Sequence, residues 1–99
     1  MPFEMMVALH VVDDEKYSAY RAAIAPLLEQ HGGGFRFDFA VAKTLRAEAD
    51  HPITRVFAIY FRDEAAKDAF FSHPEYLAIR EKYFTPSVKA RTLIAQYSR

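Results

Sequence analysis

The chain has 99 residues, of which 52% are hydrophobic and 15% aromatic, and its 13 basic residues balance 13 acidic ones. This length suits a single domain with one hydrophobic core. A chain without net charge creates no field that would attract nucleic acid or an anionic membrane surface, so neither is expected as a partner. The absence of cysteine excludes disulfides, thiolate metal sites and thiol nucleophiles.

No export signal is expected, because residues 1–4 form no basic leader and no apolar run with a cleavage site follows them. No stretch approaches the roughly 20 apolar residues that a membrane span requires. Together with the lack of cysteine, these features predict a cytoplasmic protein.

The first predicted elements are a strand and a helix. Alternating apolar residues predict a strand over residues 3–12. Asp13 supplies an N-cap, and apolar residues at helical spacing predict a helix that ends near His31. Pro26 is expected to kink or interrupt this helix, and Gly32–Gly34 end it because glycine adopts a positive φ without strain.

A hairpin is predicted next, with strands over residues 35–46 and 53–61 and a polar connection at 47–52. Alternation gives the first of these strands an apolar face, which consists of Phe35, Phe37, Phe39 and Val41. We expect Phe37, Phe57 and Ile59 to belong to the core.

The second helical region is predicted in two segments. Asp63 caps a helix that runs to about Phe71. Ser72–Glu75 is typical of a capping box and opens a segment that runs to about Phe84. Residues 88–97 form the last strand, so the element order is βαββαβ within one domain, residues 1–99.

Three motifs carry a family resemblance: Tyr17 followed by Tyr20-Arg21-Ala22-Ala23, then His31-Gly32-Gly33, then Ser72-His73-Pro74-Glu75-Tyr76. The chain resembles the dimeric α/β-barrel superfamily, closest to the uncharacterised family numbered 1330 among domains of unknown function. The resemblance covers residues 3–84, and the tail after Phe84 departs from the family pattern.

The resemblance implies an α+β, ferredoxin-like subunit whose four-stranded antiparallel sheet packs on the sheet of a second copy. Distant relatives include cofactor-independent monooxygenases, isomerases and haem-degrading enzymes. Because unrelated functions share this fold, the fold alone does not identify the activity.

A polar cluster is predicted at one end of the sheet. If the strand order is 4-1-3-2 with strands one and three parallel, His10, Tyr60, Arg36 and Asp38 share that end and one face. His10 would act as a general base or acid and Tyr60 as a hydrogen-bond donor, with Asp38 or Arg36 orienting a substrate.

The alternative for this face is the rim of a subunit contact. The face also carries small or apolar residues suited to sheet-on-sheet packing, namely Met6, Ala8, Ala40, Ala42, Val56 and Ala58. These residues predict a homodimer that associates through the sheet face.

A second candidate site lies between the helices and the sheet. Tyr17, Tyr20 and Tyr83 are expected to line this space, with Arg55 at its far end. Such a stripe is usually core, but hydroxyl-bearing aromatic residues also orient planar ligands in apolar pockets.

The sequence therefore favours a dimeric protein that binds a small apolar or aromatic metabolite. A cofactor-independent monooxygenase or isomerase is one alternative, and a non-catalytic structural or regulatory module is another. No pair of histidines has the spacing of a metal site, so neither a metal nor a cofactor is expected.

Overall fold

The computed structural model describes residues 1–99, which form a four-stranded antiparallel sheet with helices packed on one face. This architecture confirms the predicted α+β, ferredoxin-like βαββαβ order. None of the helices combines the length and the hydrophobicity that a membrane-spanning helix requires. The elements are β1 (Phe3–Val11), α1 (Asp14–Gln30), β2 (Gly34–Ala40), β3 (Arg55–Phe61), α2 (Glu64–Ser72), α3 (Pro74–Ile79), a π-helical turn (Arg80–Phe84), α4 (Thr85–Ser87) and β4 (Val88–Ser98).

The strands lie in the order β2-β3-β1-β4, and every neighbouring pair is antiparallel. Phe3 lies opposite Phe61, and Leu9 lies opposite Arg55. The expectation that β1 and β3 run parallel is therefore wrong. The crossover through α1 gives β2 the direction of β1, and the hairpin then reverses the chain, so β3 runs against β1.

Helix α1 begins where the Asp13 carboxylate accepts a hydrogen bond from the backbone N–H of Lys16 at 3.0 Å. It runs without interruption through Pro26. A proline removes only one backbone hydrogen bond, and Ile24 and Leu27 are buried on either side of it, so tertiary packing holds the helix together. The helix stops before Gly32, whose φ of 65° favours glycine.

A β-bulge interrupts the alternation of β2. Phe35 lies opposite Ile59 and Phe37 lies opposite Ala58, so Arg36 is an extra residue in the pairing. Side chains alternate with a period of two along a strand, and one extra residue moves all later side chains to the other face.

The bulge reverses the predicted faces of β2. Phe37 and Phe39 lie on the face away from the helices, where each is 53% exposed. The assignment of Phe37 to the core is wrong for this reason, whereas the assignment of Phe57 and Ile59 is confirmed, with exposures of 8% and 4%. Asp38 turns to the helix face, because it lies opposite Phe57.

The sheet face away from the helices is called the open face below. It includes Ala8, Val56 and Ala58, as expected. Ala40 lies opposite Arg55 and therefore on the helix side, so its assignment to the open face is wrong. Ala42 lies beyond the end of β2 and is not part of the sheet. The strand ends early, and residues 41–54 form a loop instead.

The second helical region begins as predicted, with the Asp63 carboxylate accepting from the Ala66 N–H at 2.8 Å. The predicted capping box is wrong, because His73 caps α3: its Nδ1 accepts from the Glu75 N–H at 3.1 Å. The hydroxyl of Ser72 donates instead to the Asp68 carbonyl of its own helix. Polar side chains of this kind compete for nearby backbone groups.

The turn after α3 is π-helical, because the Thr85 N–H bonds to the Arg80 carbonyl. Pro86 has no N–H to donate, and its ring would crowd the carbonyl of Lys82, which favours a wider turn before it. The hydroxyl of Ser87 donates to the Tyr83 carbonyl at 2.6 Å and so pairs an acceptor in this region.

The core lies between the sheet and the helices, and the molecule measures 34 × 30 × 18 Å. Its shortest dimension corresponds to one helix layer on one sheet. The buried core residues are Phe3, Met5, Val7, Leu9, Tyr17, Tyr20, Ile24, Leu27, Leu28, Phe57, Ile59, Phe61, Ala66, Phe70 and Tyr76.

We predict that Phe61→Ala lowers the free energy of unfolding by about 3–5 kcal/mol, because Phe61 is fully buried and the change leaves a cavity. Urea denaturation at a fixed protein concentration measures this loss. Leu77→Ala is the control, because Leu77 is 47% exposed on α3 and should cost less than about 1 kcal/mol. Equal losses for the two variants would contradict the assigned core.

Candidate ligand-binding site

The structure separates the two residues predicted to share a proton. Tyr60 lies opposite Glu4 near the start of β1, whereas His10 lies near the end of β1, opposite Ala90. At about 3.4 Å per residue, these positions are about 20 Å apart along the strand. The predicted pairing of His10 with Tyr60 is wrong, because it assumed parallel central strands.

A buried carboxylate stands at the Tyr60 end of the open face. Glu4 is 1% exposed and accepts a hydrogen bond from Arg36 Nε at 2.7 Å. The guanidinium of Arg36 lies 4.5 Å from the centroid of the Tyr60 ring. The Tyr97 hydroxyl and the Arg99 guanidinium also donate to Glu4. We call Glu4, Arg36, Tyr97 and Arg99 the open-face cluster.

Two opposed effects determine the ionisation of Glu4. Burial disfavours the charged form and raises the pKa, but the hydrogen bonds from Tyr97, Arg36 and Arg99 favour it. The hydrogen bonds prevail, so the pKa of Glu4 lies below its usual range and the carboxylate is ionised at neutral pH.

Asp38 lies apart from this cluster, on the helix side of the sheet. Its carboxylate accepts from Arg55 Nε at 2.8 Å and from an Arg21 terminal nitrogen at 3.1 Å. The hydrogen bond from Arg55 holds the pKa of Asp38 below its usual range. Arg21 Nε donates to the Tyr17 hydroxyl at 2.8 Å, so Tyr17 joins the same network. The predicted neighbours Arg36 and Asp38 therefore lie on opposite faces.

A cleft runs between the helices and the sheet, and its inner part is a cavity of about 40 Å³. The predicted residues Tyr17 and Tyr20 line it, whereas Tyr83 does not. Tyr83 is half-buried beside the core. Tyr76 takes the place expected of Tyr83, although the sequence placed it only in a family motif.

Two tyrosine hydroxyls meet at this cavity. The oxygens of Tyr20 and Tyr76 are 3.1 Å apart, and each residue is about 95% removed from solvent, with exposures of 6% and 5%. One hydroxyl donates to the other, which leaves the O–H of the acceptor without a partner in the protein. Burial raises the pKa of both hydroxyls, so both stay protonated at neutral pH.

The cavity opens into an outer groove of about 370 Å³. Five residues line both spaces: Met5, Phe71, Tyr76, Phe84 and Arg91. The groove is also lined by Arg80, Lys67, Asp68 and Ser72. Cavity and groove together are called the cleft below.

Arg80 and Arg91 lie on the two sides of the groove. Arg91 is opposite Leu9 in the sheet register and therefore belongs to the helix side, while Arg80 begins the π-helical turn. Neither makes an ion pair with a carboxylate. Sequence reasoning missed both arginines, although alternation along the last strand was a signal that would have placed Arg91 on this face.

The largest concavity, of about 790 Å³, lies on the open face. The loop after β2 folds over this face and is held there by His51, whose Nε2 is 2.7 Å from the Thr92 hydroxyl of β4. Leu45 in this loop is 88% exposed. A broad, open and largely apolar concavity of this kind suits a protein surface better than a small ligand.

The four-stranded antiparallel sheet, the βαββαβ order and the cleft define a ferredoxin-like α+β protein. Residues 5–96 match the family described as Domain of unknown function (DUF1330). The chain belongs to this family. Because the match includes most of β4, the expectation that the tail after Phe84 departs from the family is wrong. No curated protein matches the chain.

Solved structures share the fold. A protein of unknown function from Rhodopseudomonas palustris is 20% identical with a TM-score of 0.81, over 99% of this chain and 82% of that one. A dimeric ferredoxin-like protein of unknown function from Thermobifida fusca is 14% identical with a TM-score of 0.64, over 100% and 92%. The hydroxynitrile lyase of Passiflora edulis is 15% identical with a TM-score of 0.67, over 97% and 91%.

We predict that Glu4→Gln lowers the free energy of unfolding by about 1–2 kcal/mol at pH 7, because the hydrogen-bonded carboxylate is lost. The folded-state pKa is depressed, so ionised Glu4 stabilises the fold above its ordinary pKa of 4.5, and this contribution shrinks as the pH falls from there toward the folded-state value. Urea titrations from pH 3 to 7 should show the difference between the two proteins narrowing below about pH 4.5.

Glu29→Gln is the control for this titration, because Glu29 is exposed in the last turn of α1. We expect a change within about 0.5 kcal/mol at every pH. A difference between Glu4→Gln and the unmodified protein that stays constant from pH 3 to 7 would contradict the depressed pKa.

Proposed function

We propose that this protein is a homodimer that binds a small apolar or aromatic molecule in the cleft of each subunit. The observation that carries the ligand proposal is the buried pair of Tyr20 and Tyr76, which has one O–H without an acceptor. A buried donor that lacks a partner costs about 1–3 kcal/mol. A ligand oxygen in the cavity would accept this hydrogen bond.

The dimensions of the cleft support a ligand whose polar atom enters first. A single water needs about 10–15 Å³ of cavity, so the inner cavity of about 40 Å³ accommodates one functional group. The outer groove of about 370 Å³ falls within the range of small-molecule pockets. The ligand body would lie on Met5, Phe71 and Phe84 at the junction of the two spaces.

A catalytic function is the second candidate, because the same O–H would polarise a substrate carbonyl. A protein of this fold is described as a hydroxynitrile lyase, so the fold accommodates chemistry. Proton abstraction, which an isomerase or a cofactor-independent monooxygenase requires, needs a base beside the substrate. The inner cavity is lined by no histidine and no carboxylate, and the carboxylate of the outer groove, Asp68, is paired with Lys67. These observations favour binding over catalysis.

The dimer proposal is supported by the apolar residues of the open face. Phe37 and Phe39 stack with their ring centroids 6.0 Å apart, and Ile94 on β4 is 53% exposed. An apolar sheet face of this kind needs cover, and a second copy supplies a matching sheet. A protein of the same fold is described as dimeric, which supports a second copy as the cover.

We predict that the unmodified protein has twice the 11.4 kDa mass of one chain in multi-angle light scattering. Phe39→Glu should shift the mass toward 11.4 kDa, because it places a charge on the open face without disturbing the core. Leu77→Glu is the matched control on α3, with a similar exposure of 47%, and should remain dimeric. A mass of one chain for the unmodified protein would rule out the dimer.

We predict that acetophenone binds the cleft and that ethylbenzene, which lacks the carbonyl, binds more weakly. The double variant Tyr20→Phe, Tyr76→Phe should weaken acetophenone binding by roughly three- to tenfold and leave ethylbenzene unaffected, because only the hydroxyls are lost. Chemical-shift titrations give both dissociation constants. Tyr83→Phe is the control, since Tyr83 does not line the cavity. Equal affinity of the double variant for acetophenone would contradict the role of the hydroxyl pair.

A further inference from the structure

We infer that the natural ligand of the cleft is an organic anion, most simply a carboxylate on a flat apolar body. The carboxylate would lie where the cavity meets the groove, beside the hydroxyl pair, with Arg80 and Arg91 as its counter-ions. This inference depends on the proposed function, because it names the ligand class of the same site. Both arginines line the groove that continues the apolar cavity. Each presents a planar fork of donors that matches a carboxylate.

The arginines on the helix side of the sheet differ in whether they have a carboxylate partner. At the β2 edge of the sheet, Arg21 and Arg55 share the carboxylate of Asp38 at 3.1 and 2.8 Å. At the β4 edge, Arg91 has no carboxylate partner, and neither has Arg80 across the groove. The arginines are therefore neutralised at the β2 edge and have no carboxylate partner at the β4 edge.

The remaining charges of the groove do not cancel the arginines. Lys67 Nζ lies 2.8 Å from the carboxylate of Asp68, so these two residues neutralise each other. Arg80 and Arg91 therefore give the groove a net positive charge. Their charges reach the inner end of the groove, because both lower the pKa of Tyr76 against the rise that burial causes. An anion near the Tyr76 hydroxyl would be stabilised by the same two charges.

The π-helical turn fixes one side of this arrangement. It packs Phe84 against Tyr20, with ring centroids 5.0 Å apart, and begins with Arg80 at the groove. The guanidinium of Arg80 lies 6.0 Å from the centroid of the Phe84 ring. π-Helical turns occur frequently at functional sites. The turn thus places an apolar wall and a cation side by side.

The test compares phenylacetate with its neutral isostere phenylacetamide in chemical-shift titrations at pH 7. We expect phenylacetate to bind roughly tenfold more tightly. Raising the salt concentration should reduce this preference, because the groove is open to solvent. Arg91→Gln should abolish most of the preference while leaving phenylacetamide affinity unchanged.

Arg80→Gln is a second variant that should have the same effect, and it lies on an exposed turn, so it tests the inference even if Arg91→Gln folds poorly. Arg62→Gln is the control, because Arg62 lies outside the cleft and its side chain is 63% exposed. If both compounds bind equally in the cleft, the anion inference is overturned and the proposed function stands. If neither compound binds, both fail.

Discussion

One extra residue in β2 determines what each face of the sheet presents. The bulge at Arg36 reverses the alternation, so the aromatic pair Phe37 and Phe39 moves to the open face and Asp38 moves to the helix side. With regular alternation, Asp38 would point away from Arg21 and Arg55, and two cations beside the core would have no counter-ion. The bulge residue itself pairs with the buried carboxylate of Glu4. Bulges change the direction of side chains in this way. Here a single bulge determines which side chains lie on each face of the sheet.

The two edges of the cleft differ in charge, because the carboxylate of Asp38 neutralises the arginines at only one of them. On the β2 edge the guanidinium of Arg21 lies between Asp38 and aromatic rings, 3.7 Å from the centroid of Phe35. These contacts stabilise the fold. On the β4 edge Arg91 has no such partner and borders open space. A cation that is neutralised and packed contributes to structure. The unpaired Arg91 beside the apolar cavity is the basis of the proposed anion site.

The sequence predicted the element order and the core residues of β3, because these follow from simple periodicity. The strand order came from the family resemblance. Sequence reasoning failed at Phe37 and Asp38, since a bulge has no signature in alternation and appears only in the register with β3. It also failed for His10 and Tyr60, where the assumed parallel strands joined two distant ends of the sheet. Of the cleft, Tyr17 and Tyr20 were predictable from helical spacing. Arg80 follows Tyr76 by four residues and its N–H bonds to the Tyr76 carbonyl, so helical spacing was an unused signal for Arg80 as well.

The proposed dimer contact and the proposed ligand site lie on opposite sides of β1. Along β1, Met5, Val7 and Leu9 face the cleft, whereas Met6 and Ala8 belong to the open face. Covering the open face with a second copy therefore leaves both clefts on the outer surfaces of the dimer. A ligand entering the groove contacts no residue of the open-face cluster, so association need not be reversed for binding to occur. In the proposed dimer, the second copy would bury the apolar open face, and each subunit would retain its own cleft with Arg80 and Arg91.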